Sequence, residues 1–207
     1  MKLKLKHIAI FSMLLSISAA QAASEKSAYV TLNSPVAEAP SVVEFFSFYC
    51  GPCYLFNHNY NVDKAVSKAL PKDIKLTKYH VGAMGKLGNE LTEAWSIAMV
   101  LDVEDKMEPL LFDAQMNKKI NNSDDIKVIF KSIGISSDVY DEMKGSKKVK
   151  DLTFKQNEAV KSFNVTSTPS FYVSGKYKIE NQNVPHTNIE DYTSNYADLI
   201  NKLLMKG

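Results

Sequence analysis

Residues Val42–Phe56 read VVEFFSFYCGPCYLF: a continuous apolar run, then Cys50-Gly51-Pro52-Cys53, then more apolar residues. A short apolar run stopped by Gly-Pro is the pattern of a buried strand of a parallel sheet, which predicts a strand over Val42–Phe48. Pro52 suits the first turn of a helix, where its missing N–H leaves no hydrogen bond unmade. Cys50 then falls where strand hands over to helix, facing unpaired N–H groups and the positive end of the helix dipole. That setting favours the thiolate, the reactive form of cysteine. The stretch reads as a dithiol–disulfide redox centre.

Outward from this centre, Met1–Ala22 has the marks of a cleavable signal peptide. Lys2, Lys4 and Lys6 make a basic start, Ile8–Ile17 an apolar middle and Ala20-Gln21-Ala22 a cleavage site, with cleavage expected after Ala22. The apolar part is shorter than the roughly 20 residues that span a bilayer. Removing 1–22 leaves about 185 residues, with 22 basic against 23 acidic side chains. That balance carries no basic footprint for nucleic acid. The chain is expected to work in the periplasm, where disulfides can form. Both cysteines lie in the single C-x-x-C, and a loop this small contributes little as a staple.

Along the chain, a short strand is expected at Tyr29–Leu32, and a helical continuation of the Cys50 helix near Val62–Leu70. Ile74–Val81 alternates as a strand with Ile74, Leu76, Lys78 and His80 on one face. Strand, helix and strand of this length form a βαβ unit. From Gly82 to about Phe163 the pattern turns wholly helical. Leu87, Leu91, Ala94, Trp95, Ala98 and Leu101 recur at helical spacing, and Ser123 before Asp124 and Asp125 marks a capped start. Further helices are expected over Ser137–Lys144 and from Val149 through Gln156 to Phe163. Strands return at Ser170–Val173 and Tyr177–Ile179 around a Ser174-Gly175-Lys176 turn. A last helix begins near Asn188, with Ile189, Tyr192, Tyr196, Leu199 and Leu203 inward. The expected fold is α/β: one unit formed by 23–81 plus 164–207, interrupted by an inserted helical domain over 82–163.

C-x-x-C alone leaves alternatives. A zinc site needs about four ligands, and His58, His80 and His186 are scattered, so no metal or other cofactor is expected. A haem attachment needs histidine where Tyr54 stands. A lone catalytic cysteine and an inert disulfide remain open. Glu44 shares the strand face of Val42, Phe46 and Phe48, where a carboxylate is costly unless paired or protonated. Lys78 is the matching anomaly on the next strand. If the two strands are neighbours, these residues can meet beneath the C-x-x-C and exchange protons with Cys53; otherwise Lys78 reaches out to water. Thr168-Pro169, before a strand, reads unaided as an ordinary turn. His80 reads as a strand-end histidine.

Together these features resemble the thioredoxin superfamily, and within it the DsbA family of periplasmic disulfide oxidases. The carriers are EFFSFYC–CY (44–54), LTKYHV (76–81), LTEAWSIAM (91–99), VEDK (103–106) and Ser174-Gly175-Lys176-Tyr177. The resemblance spans nearly the whole chain after residue 22. It implies a thioredoxin-like domain interrupted by the helical one, Cys50 as exposed nucleophile and Cys53 as buried resolving partner. It matches Glu44 and Lys78 to a buried acid–lysine pair. It also matches Pro169 to a cis-proline beside the active site, with Thr168 offering backbone contact to a bound substrate. The implied activity is donation of the disulfide to newly exported proteins, followed by reoxidation by a DsbB-like membrane protein.

One departure bears on poise. Gly51-Pro52 stands where that family usually carries Pro-His. Without a histidine the Cys50 thiolate loses charge and hydrogen-bond support, so the disulfide should be a weaker oxidant. A reductase or isomerase of the same fold is therefore the nearest alternative, and a chaperone-like binder of unfolded exported proteins the more distant one. No segment suggests a dimerisation domain, and a monomer is expected.

Overall fold

The computed structural model describes residues 26–206; the expected signal peptide, 1–22, lies outside them. Its centre is a mixed sheet of β1 (Tyr29–Thr31), β2 (Val42–Phe46), β3 (Leu76–His80), β4 (Ser170–Val173) and β5 (Tyr177–Ile179), in the order β1-β5-β4-β2-β3. β2 runs parallel to β3 and antiparallel to β4. All five β2 residues are buried, which is why its sequence, Glu44 apart, is apolar without alternation. The β4–β5 hairpin turns through Ser174 (φ 52°) and Gly175 (φ 61°), the left-handed pair that matches strand twist. A Cβ on Gly175 would also sit 2.4 Å from the Val36 carbonyl oxygen.

The strand expected to reach Phe48 stops at Phe46. Ser47 O accepts from Cys50 N at 2.9 Å and turns the chain, while Phe48 N donates to His80 Nε2 at 3.1 Å instead of to a neighbouring strand. Then follow α1 (Gly51–Tyr54), a π-helical turn (Leu55–Asn59) and α2 (Val62–Ala69). Between β3 and β4 run α3 (Gly88–Val100), α4 (Glu104–Met116), α5 (Ser123–Ser132), α6 (Ser137–Gly145) and α7 (Lys147–Ser162); α8 (Ile189–Lys206) follows β5.

The sequence reading assigns no separate helix to α4. Pro109 lies inside it, a residue that ordinarily argues against a helix interior because it lacks an N–H. The cap of α5 moves one residue back: Asn122 accepts from Asp124 N and Asp125 N, and Asp125 answers with its own carboxylate on Asn122 N. Ser123 is the first helical residue. On α8 the inward face is Tyr192, Tyr196, Ile200 and Leu203, whereas Ile189 is exposed.

β3 is the sheet's edge, and the helices cover it. Trp95 Nε1 donates to Lys78 O at 2.8 Å, and His80 N donates to Gln156 Oε1 at 2.8 Å. Strand groups left unpaired at an edge are thereby satisfied. One core joins Phe46 and Phe48 to Leu91, Trp95, Met107 and Phe112 of the helical segment; a second packs Val42 against α2 and α8. On the opposite face Val43 and Phe45 meet Tyr172 and Phe163. Glu44 lies between Val42 and Phe46, on the face shared by the first two cores.

Candidate active site

Cys50 caps α1. Its backbone is extended, and its sulfur accepts from Cys53 N at 3.1 Å. The two cysteines are joined as a disulfide, Cα atoms 5.2 Å apart. The bonded sulfur thus faces the N-terminal N–H groups of the helix, where negative charge is stabilised. Cys50 Sγ lies 3.4 Å from the carbonyl oxygen of Thr168, and the Thr168-Pro169 bond is cis; the ordinary turn of the unaided reading is not what forms. Cys50 is 3% exposed and Cys53 1%, so the contrast expected between an exposed and a buried cysteine is slight in this disulfide form.

Gly51 and Pro52 are both exposed. Nothing lies within 4 Å of a Cβ built on Gly51, so the dipeptide brings no side-chain donor to the sulfur. The opposite wall comes from residues 82–87. Thr168 Oγ1 donates to Met84 Sδ at 3.6 Å, and Leu87 N donates to the Tyr49 hydroxyl at 3.1 Å. Gly85 has φ 70°, and a Cβ there would meet the Tyr49 ring at 2.4 Å. Only glycine lets the loop close onto the residue preceding Cys50.

Glu44 and Lys78 are register partners in the parallel β2–β3 pair, with Lys78 Nζ 3.1 Å from Glu44 Oε2. Lys78 therefore does not reach out to bulk water. It also contacts Asp63 of α2 and Glu108 of α4, two carboxylates absent from the sequence-based site. Burial pushes the Glu44 carboxyl well above the usual range, and Asp63 and Glu108 add to this while Lys78 opposes it. Burial works against the Lys78 charge, yet the three carboxylates outweigh it and hold its proton well above the ordinary lysine value. Glu108 is raised by burial against the pull of Lys78.

His80 ends β3 with no solvent exposure. Its Nε2 accepts from Phe48 N, which leaves Nδ1 to carry the proton and donate to Thr92 Oγ1 at 2.8 Å; Thr92 in turn donates to Gly88 O. Burial lowers its pKa to about 3. His80 is a neutral crosslink between the turn before Cys50 and α3, more than a strand-end residue. Beyond Cys53, His58 stacks on Tyr54 with ring centroids 4.3 Å apart and bonds Asp113 at 3.4 Å, fastening the redox helix to α4.

A helix-capping disulfide facing a cis-proline on a five-stranded sheet invites comparison with known proteins. The family described as DSBA-like thioredoxin domain matches residues 41–193. The chain belongs to the DsbA family. It is 41% identical to the thiol:disulfide interchange protein DsbA of Dickeya dadantii, over 95% of this chain and 96% of that one. The crystal structure of the DsbA disulfide interchange protein from Klebsiella pneumoniae superposes with a TM-score of 0.83 at 45% identity, covering 86% of this chain and 95% of that one. A complex of Proteus mirabilis DsbA with a non-covalently bound peptide, PWATCDS, gives a TM-score of 0.84 at 40% identity over 88% of this chain and 98% of that one. As a DsbA-family member the chain is a thiol:disulfide oxidoreductase with a thioredoxin-like fold.

The structure thus brings Cys50, Cys53, Thr168 and Pro169 together, and pairs Glu44 with Lys78. Asp63, Glu108 and the His80 network were missed. Asp63 sits in the first turn of α2, where an acid reads as a routine complement to the helix dipole. Glu108 sits in the helix that Pro109 disguised. A sign was available: Asp63 lies between apolar Val62 and Val66, and Glu108 adjoins Met107.

Proposed function

We propose that this protein is a periplasmic disulfide oxidase that donates its Cys50–Cys53 disulfide to newly exported, cysteine-containing proteins. The carrying observation is the disulfide at a helix N-terminus beneath the Thr168-Pro169 carbonyl edge. A substrate thiolate attacks Cys50 Sγ, and the electron pair of the broken S–S bond leaves on Cys53. A second substrate thiolate then attacks the substrate sulfur of the mixed disulfide and releases Cys50 as a thiolate, a leaving group favoured by the helix N-terminus. Thr168 and Pro169 hold the substrate backbone beside Cys50, a role supported by the Thr168 carbonyl oxygen 3.4 Å from Cys50 Sγ, and the Proteus mirabilis relative binds a cysteine-containing peptide non-covalently. Glu44 and Lys78 serve Cys53 by holding and supplying its proton, while Gly51-Pro52 sets how oxidising the disulfide is.

The same reading assigns residues 1–22 to a signal peptide cleaved after Ala22. It assigns 23–81 plus 164–207 to the thioredoxin-like domain and 82–163 to the inserted helical domain. The protein acts as a monomer without cofactor, is reoxidised by a DsbB-like membrane protein and takes no nucleic acid.

The bare Gly51-Pro52 dipeptide favours a second reading, a reductase of the same fold. The equilibrium reduction potential of Cys50–Cys53 in a glutathione series separates the two. A value well on the oxidising side of the glutathione couple supports the oxidase, and a thioredoxin-like value supports the reductase.

A further inference from the structure

Lys78 is one ammonium among three carboxylates. The Glu44, Asp63 and Glu108 side chains are 1%, 9% and 10% exposed. Were all three ionised, the cluster would hold two uncompensated negative charges where water solvates them poorly, an arrangement that burial makes costly. Neutral donors do little to relieve it. Asn57 Nδ2 donates to Asp63 Oδ2 at 3.3 Å, while Asp63 Oδ1 has no hydrogen-bond partner. The remaining way to reduce the charge is for a carboxyl to keep a proton.

The surroundings distinguish the three acids. A groove of about 980 Å³ runs between α2, β3 and the α3–α4 segment, lined by Asp63, Lys78 and Glu108 but not by Glu44. Glu44, 1% exposed, does not line this groove, whereas Lys78, which it contacts, and the other two carboxylates do. The other charged groups on this side are Lys64 of α2, Lys75 before β3, and Asp102, Glu104 and Asp105 around the start of α4. From α8, Tyr196 faces Glu44 and Asp63 as a neutral phenol, its acidity suppressed by burial. None of these supplies Glu44 with a second cation.

We propose that Asp63 and Glu108 are positioning residues for Glu44: together they offset the charge of Lys78, keep Glu44 protonated at neutral pH and give it its route of proton exchange with the groove. The inference rests on the reading that Glu44 serves Cys53. When the substrate thiolate bonds to Cys50 Sγ, the S–S bond breaks and its electron pair resides on Cys53. The Cys53 thiolate takes the proton of the Glu44 carboxyl, giving a thiol and a carboxylate. The carboxylate regains a proton from water by way of Asp63 and Glu108. Redox chemistry then proceeds on one side of the redox helix and proton uptake on the other.

The test uses the oxidised full chain after signal removal, with the infrared band of a protonated carboxyl as readout and Glu44→Gln to assign it. The wild type is expected to show the band at neutral pH. In Asp63→Asn/Glu108→Gln, where Glu44 faces Lys78 alone, the titration midpoint should fall by about one pH unit or more. The single variants should each move it the same way by less, and they carry the test if the double variant does not fold. Asp63→Glu should restore the midpoint. A wild type without the band at neutral pH, or an unmoved midpoint in the variants, overturns the inference. If the midpoint moves as expected but Glu44→Gln forms the mixed disulfide and releases product at the wild-type rate, the inference on Asp63 and Glu108 stands. In that case the role of Glu44 toward Cys53 fails.

Discussion

Around Cys50 the polar contacts come from the backbone: Cys53 N at 3.1 Å and the Thr168 carbonyl at 3.4 Å. Around Lys78 they come from side chains on β2, α2 and α4. The first arrangement follows from a helix start and a bend, and changes of neighbouring side chains leave its donors in place. The second is a charge balance among long side chains brought together by packing, so the loss of one member leaves the others uncompensated. Sulfur chemistry should therefore respond to mutation chiefly in activity, and charge balance first in stability and pH dependence, with activity following through the proton on Cys53.

The sharpest break is Cys50→Ser, which removes the sulfur that substrate attacks. Oxidation of a dithiol peptide should fall to the uncatalysed rate while the urea midpoint stays close to that of the reduced wild type. Next comes Lys78→Met, which leaves three buried carboxylates without their ammonium. Denaturant unfolding at neutral pH should show a loss of about 3–5 kcal/mol, whereas a loss below about 1 kcal/mol would mean that the acids neutralise without cost.

A third effect lies in the His80 crosslink. Its folded pKa, about 3, is below its ordinary value of 6.5. Its contribution is therefore present above pH 6.5 and is lost as pH falls toward 3. That amounts to about 3 kcal/mol between pH 6.5 and 4. Glu44 has the opposite sign, because its raised folded value adds stability at low pH that is lost as pH rises through that value. The difference between wild-type and His80→Phe unfolding curves isolates the histidine part. A difference independent of pH over this window would sink the assignment.

Smaller still is Pro52→His, which places a donor and a partial charge beside Cys50. The glutathione equilibrium should shift about tenfold toward the reduced enzyme, or ~30 mV more oxidising, with unfolding of the reduced form little changed. The smallest is Asn122→Ala, far from both regions. Loss of the α5 cap should cost about 1 kcal/mol, and the potential should not move. A shifted potential there would mean that the helical segment is coupled to the sulfurs more tightly than the comparison allows.

The run Val42–Phe46, the cap at Cys50 and Pro52 in the first turn were legible because each is a local rule: burial without alternation, an unpaired N–H and a fixed φ. Ser170–Val173 and the hairpin at Ser174-Gly175 were legible for the same reason. The helix over Glu104–Met116 was not, since Pro109 breaks the local rule and only packing of Met107, Leu111 and Phe112 onto Phe46 and Phe48 overrides it. Glu44 and Lys78 were each visible as charges on apolar strand faces, but their pairing needed the register of β2 against β3.

By itself, then, the sequence determined the redox motif, the order of the strands and the anomaly of two charges in apolar strands. Hydrophobic period and backbone chemistry are written within a few residues. Only the tertiary structure decided that Thr168-Pro169 faces the sulfur and that His80 ties the turn before Cys50 to α3. It also brought Asp63 and Glu108 onto Lys78, 15 and 30 residues away along the chain. Contacts at such separations carry no local signature, because they form when several faces are buried at once.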